Sequence, residues 1–229
     1  MRSIHESHQH SVLDDVRGAL GRRATLAPSP LEAFVESAAG TDGVEIIERF
    51  VQEATAVGAQ VHRLSGEPQL VEKILEICAH QPGEIALSVA PLFGNTDVRS
   101  ELGARGLSIF AGNQSGHEQT VAGLASCAVG VTSADYAIAE TGTVVLSSDE
   151  PDALLVSLLP PLHIALVRSE QIIATMDEAL ARIGRERMGQ SSSTCSVTLI
   201  TGPSRTSDVE LVLSIGVHGP KELHVIIID

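Results

Sequence analysis

Two glycine turns and a short run of histidines carry most of the side chains with chemical potential. In TGPSRTSDVE, residues 201–210, Gly202 and Pro203 shape a turn after the apolar strand-like run SVTLI, and Arg205 offers a planar fork for a carboxylate or phosphate. The hydroxyls of Thr201, Ser204 and Thr206 flank it, and a helix is expected from about Asp208, whose free amides would favour an anion. Ser207 and Glu210 also have capping-box spacing, which describes a plain helix start. In a second structural alternative Arg205 is buried against Glu140 or Asp135. In IAETGTVVL, Glu140 precedes a Thr-Gly-Thr turn and an apolar strand, so a carboxylate stands at the edge of buried structure. That position suits acid, base or nucleophile work, and equally suits a carboxylate that fastens the turn by accepting backbone N–H bonds. AGNQSGHEQ, residues 111–119, is a third turn between a strand and a helix; Ser115 and Glu118 there have capping spacing, and His117 lies in the first turn.

His163 follows two prolines and enters a buried strand, where a histidine bonded to a core partner is the plain reading. His218, Lys221 and His224 follow in IGVHGPKELHVIIID, and a period of two puts Glu222 and His224 on one face. These groups with His163 would be needed to assemble a zinc site, but no compact spacing such as HExxH supports one, and no metal is expected. His163, His218 and Lys221 remain candidates for ligand binding beside the Thr201–Thr206 loop. His5, His8 and His10 sit in a polar start that gives them no fixed geometry.

The elements that must position these residues alternate. GVEIIERFVQEATAVG reads as helix, AQVHRL as strand, PQLVEKILEICAH as helix, EIALSV as strand, NTDVRSELGARG as helix, LSIFA as strand and SGHEQTVAGLASCAV as helix. Such alternation predicts βαβ crossovers and a parallel sheet buried between helical layers. From Val129 short β-rich segments predict a hairpin or mixed sheet. HIALVR, SVTLITG and ELHVIIID are further strands, the last two apolar enough to be central, with QIIATMDEALARIGRERM a helix between them. Residues 1–29 read as an arm with a short helix and a Pro-containing linker, ahead of one α/β domain over 30–229.

Composition narrows the function classes. Fifteen basic against 29 acidic residues give a net charge of −14, and Lys73, Arg99 and Arg105 are the only strong cations between Leu64 and Pro161. With four Phe, one Tyr and no Trp, the chain lacks both the phosphate-neutralising surface and the stacking platforms of a nucleic-acid binder. Cys78, Cys127 and Cys195 are dispersed, so no disulfide framework, zinc motif or iron–sulfur motif is signalled, and the expectation is a protein without its own cofactor in a reducing, cytoplasmic setting. No run of 18 apolar residues exists, so no membrane insertion is expected.

Read in order, GVTSADYAIAETGTVVLSS, LLPPLHIALV, TLITGPSRTSDVE and GVHGPKELHVIIID resemble the LUD, or lactate-utilisation, domain family, and within it the short LutC-type subunit. The resemblance covers about Leu31 to Asp229. It implies a three-layer α/β/α sandwich with a mostly parallel sheet, related to the sugar-phosphate isomerase and CoA-transferase (NagB/RpiA-like) superfamily. It also implies a non-redox role beside iron–sulfur subunits that oxidise L-lactate to pyruvate, with a small carboxylate or phosphate-bearing ligand and oligomer formation both compatible. An alternative within the same resemblance is an independent enzyme in which Glu140 acts as nucleophile or base toward a CoA thioester or sugar phosphate, and a third is a ligand-sensing module.

Overall fold

The computed structural model describes residues 43–88, 97–110, 117–148, 154–187, 196–207, 213–215 and 218–229. The N-terminal arm with its histidines, the AGNQSG turn, residues 191–195 of the SSSTCS connection and the expected helix start at 208–212 fall outside them.

Five strands form the central sheet: β1 (Gln60–Leu64), β2 (Ile85–Leu87), β3 (Val129–Ser133), β6 (Leu162–Arg168) and β11 (Glu222–Ile228). Their spatial order is β1-β11-β6-β3-β2, and every pairing is parallel. β6 and β11 lie inside, which is why HIALV and LHVIII are apolar on both faces. One face packs under α2 (Leu70–Cys78) and α3 (Val98–Ala104), where Leu70, Ile74 and Leu102 meet Val131, Ile164, Leu166 and Ile226.

The other face is covered differently from a simple helical layer. A second sheet, ordered β7-β4-β5-β8, lies there beside α1 (Gly43–Ala56): β7 (Ile172–Ile173), β4 (Tyr136–Ile138), β5 (Thr143–Ser148) and β8 (Ser196–Ile200). Ala137, Val144 and Leu146 of its inner face share one core with Phe50 of α1 and with Ala165, Val167, Val225 and Ile227 of the central sheet. Its outer face, through Ile138, Val145 and Ile173, packs on Ala179 and Ile183 of α5 (Met176–Arg187). α4 (His117–Ser126) covers the β2 side, where Leu124 and Cys127 meet Ala86 and Val156. The α/β reading with a mostly parallel sheet therefore holds, and a helix–sheet–sheet–helix stack replaces three layers over part of the molecule.

Four local expectations need correction. The Thr201–Thr206 loop runs into a strand: β9 (Arg205–Ser207) pairs antiparallel with β10 (Leu213–Ile215), so Ser207 faces Leu213 in a ladder, and residues 208–212, where the helix start is expected, lie outside the described residues. SVTLI is an edge strand among the described residues, not a central one, because there β5 occupies one side only. Ile172 and Ile173 belong to β7, ahead of the helix. LSIFA contributes a single bridge, Ile109 to Ile85.

Candidate functional site

The helix α1 ends at the amino edge of the central sheet, just before β1, and most of the singled-out residues converge on that end. Gly142, at φ +63°, lies so close that a Cβ would sit 2.2 Å from the backbone nitrogen of Ala54. Gly202, at φ +78°, approaches equally: its Cβ would come within 2.5 Å of the Val57 carbonyl oxygen. Both turns need glycine for the left-handed conformation and for the contact. Arg205 is exposed, and its Nη2 donates to the Val57 carbonyl at 2.6 Å. It thus satisfies a carbonyl that the end of α1 leaves unpaired and puts a cation at the negative pole of the helix. Thr201 joins the two turns, with its hydroxyl 2.8 Å from that of Thr143, which in turn lies 2.7 Å from Thr141.

The Gly202 loop is tied by main chain to the turn before β11, and that turn to the start of β6. Ser204 N–H donates to the Pro220 carbonyl at 2.9 Å, and Lys221 N–H to the Pro161 carbonyl at 2.7 Å. His218 and Lys221 are exposed there. Thr206 lies in β9. The bond of Arg205 is to Val57 and not to Glu140 or Asp135, and Arg205 itself stands in the β9–β10 ladder opposite Ile215.

Glu140 points elsewhere. Its Oε1 accepts the Met176 N–H at 2.6 Å, and its own N–H donates to the Ala174 carbonyl at 3.1 Å. The carboxylate therefore caps the first turn of α5, where negative charge is favoured.

His163 is fully buried, and its Nε2 lies 2.8 Å from the Thr132 hydroxyl while Nδ1 has no partner. Burial pushes its pKa down to about 3, so the ring is neutral. It cannot share a site with His224. His163 is in register with Leu223, so successive residues of β11 turn His224 to the opposite face. There His224 meets a residue that strand periodicity alone did not single out, His62 of β1. Their facing nitrogens, Nε2 of His62 and Nδ1 of His224, are 3.1 Å apart, and the rings are nearly parallel. Burial lowers both pKa values; His224 and then Lys73 lower that of His62 further, whereas Glu222, 3.6 Å from His224, opposes the shift there. Among the described residues no group of three or more His, Cys, Asp or Glu side chains is arranged for a metal ion.

The opposite, carboxyl edge of the sheet carries a polar network that the sequence reading passed over. Arg168, the last residue of β6, pairs with Glu67 from the turn after β1. Gln171 accepts the Arg168 N–H at 2.7 Å and donates to the carbonyls of Ala134 and Asp135 at 2.9 and 3.2 Å. Asp135 accepts the Ser147 N–H at 2.6 Å. Open α/β sheets present ligand crevices at the carboxyl ends of their strands, and this edge carries a half-buried guanidinium paired with a carboxylate. The only sequence signal was a charged residue ending an apolar strand.

Comparison with known proteins agrees with the architecture. The chain is 22% identical to a DUF162 family protein from Deinococcus radiodurans of known crystal structure, with a TM-score of 0.55 over 82% of this chain and 99% of that one, which is a likeness of fold. It is 36% identical over 101 residues to Lactate utilization protein C of Oceanobacillus iheyensis, covering 44% of this chain and 43% of the relative. With Lactate utilization protein C of Macrococcus caseolyticus the figure is 39% over 101 residues, 44% of each. These matches span less than half the length of the curated relatives. The LUD domain model, in contrast, matches residues 47–228, nearly all of the described structure, and the chain belongs to the LUD domain family.

Proposed function

We propose that this protein takes part in L-lactate utilisation as a non-redox accessory subunit, beside iron–sulfur subunits that take the electrons as lactate becomes pyruvate. The observation that carries the reading is the 35–39% identity to relatives named for lactate utilisation. The cysteines support the non-redox part: Cys78 and Cys127 are both buried and sit in different core clusters, apart from one another, whereas an iron–sulfur cluster is held by thiolates brought together. A small carboxylate is proposed to bind at the carboxyl edge, where Arg168 would exchange its contact with Glu67 for the ligand. Glu140 is assigned a structural role in this reading, because its carboxylate already holds the start of α5.

The test is genetic and biochemical together. Deleting the coding sequence should abolish growth on L-lactate but not on pyruvate, and tagged protein should co-purify with iron–sulfur subunits from lactate-grown cells. Complementation by Glu140→Gln, which keeps an acceptor for Met176, should restore growth. Normal growth of the deletion strain on lactate would overturn the reading, and failure of Glu140→Gln alone, with the variant folded, would move the case to an enzyme using that carboxylate.

A further inference from the structure

The edge strand β8 is built to pair with another strand. β5 occupies one side of it, and among the described residues no strand occupies the other. Val197 and Leu199 on the outward face are 40% and 44% exposed, although they are β-formers of the kind that normally fill a core. Sheet edges are usually guarded by a Lys, a Pro or a bulge. Ser196–Ile200 has no charge and no proline, and its register with β5 runs without interruption from Ser196–Ser148 to Ile200–Val144.

The sequence of the strand also says which partner fits. Turned antiparallel to itself about Thr198, SVTLI places Val197 opposite Leu199 of a second copy, Leu199 opposite Val197, and Thr198 opposite Thr198. Those are favourable cross-strand pairs, and a two-fold pairing is self-complementary by construction. Charge acts the other way: each chain carries −14, so two copies repel except along an uncharged contact. A five-residue strand is roughly 17 Å long, which buries less than the ~800 Å² per partner of a stable interface.

We propose that β8 is a self-association edge, through which two copies of this chain pair antiparallel and join their four-stranded sheets into one eight-stranded sheet about a two-fold axis at Thr198. The dimer is weak and concentration-dependent, and it strengthens as salt screens the repulsion between copies.

Sedimentation velocity on the full chain from roughly 5 to 500 µM, in low and moderate salt, tests the proposal. Dimer is expected to grow with concentration and with salt. Val197→Glu and Leu199→Glu, on exposed positions, should each weaken it by about tenfold or more while leaving the melting temperature near wild type. Register is tested separately in a Cys195→Ser background. Thr198→Cys should form a disulfide dimer under mild oxidation, because opposed Cα atoms lie about 4.5–5.5 Å apart in such a pair. Ser196→Cys should not, since its copy would be about 14 Å away along the ladder. A monomer at every concentration, a dimer indifferent to both Glu variants, or equal cross-linking at 196 and 198 overturns the proposal.

Discussion

His163 has one ring nitrogen near the Thr132 hydroxyl and the other buried without a partner, an arrangement stable only for the neutral imidazole. Its folded pKa of about 3 lies below the ordinary value of 6.5, so on acidification the unfolded chain takes up a proton that the native chain refuses. The stability tied to this neutral ring is complete above about pH 6.5 and is lost as pH falls toward 3, at about 1.4 kcal/mol per pH unit for one proton. His62 and His224, lowered chiefly by burial, add in the same direction as pH falls below 6.5. Urea unfolding of wild type and His163→Gln at pH 7, 6 and 5 should therefore show a shallower decline for the variant, even though it starts less stable. Parallel slopes would mean that this ring titrates normally in the folded protein. That His163 is a core residue was legible from its strand. Its partner was not, because Thr132 is 31 positions away and reaches it only through the pairing of β3 with β6.

At the scale of elements, the loops that read as an anion site are fitted to the end of α1. Arg205→Ala removes one charge-assisted bond at an exposed position, so a loss of about 1 kcal/mol, near 2–4 °C in melting temperature for a chain of this size, is expected. Gly142→Ala should cost more, on the order of 1–3 kcal/mol from the left-handed backbone alone, plus the displacement of Ala54. Thermal melts of both variants with and without phosphate or L-lactate check the assignment: the anions should protect neither variant differently from wild type. Strong phosphate protection of wild type that vanishes in Arg205→Ala would return this loop to ligand binding. The sequence showed the glycine turns, the strands β1, β3, β6 and β11 and the helices α2 and α4 because each is a local pattern of period or punctuation. It misplaced β8 because apolar content does not distinguish an edge strand from a central one, and it did not show β9 and β10 because the pairing of Arg205–Ser207 with Leu213–Ile215 is not a local pattern. Glu140 was legible as a carboxylate at the edge of buried structure, but which backbone amide it would hold depended on where α5 docks.

Over the whole molecule, the two sheets share one interior. Side chains from α1, β4, β5, β6 and β11 meet in a single cluster, so no plane through the core separates the central sheet from the smaller one. Cooperative unfolding follows the core rather than the hydrogen-bond ladders, because the sheets lose apolar burial together when either departs. Native-state hydrogen exchange should then give the amides of β5, residues 143–146, opening free energies close to those of β6 and β11. β8 differs: among the described residues Val197 and Leu199 contribute to no buried cluster, and its ladder is supported from one side. Its amides are expected to exchange through local opening, several-fold to many-fold faster than those of β5, even though the two strands are paired residue by residue. Peptide-resolved exchange at two denaturant concentrations separates these cases, since globally protected amides accelerate with denaturant and locally opening ones do not. If β5 exchanges as early as β8, the smaller sheet is an independently melting unit and the shared core does not couple it to the central strands. Slow exchange of β8 that appears only at high protein concentration would instead mark the edge as protected by a second copy, because a ladder formed between chains shields its amides in proportion to the dimer present.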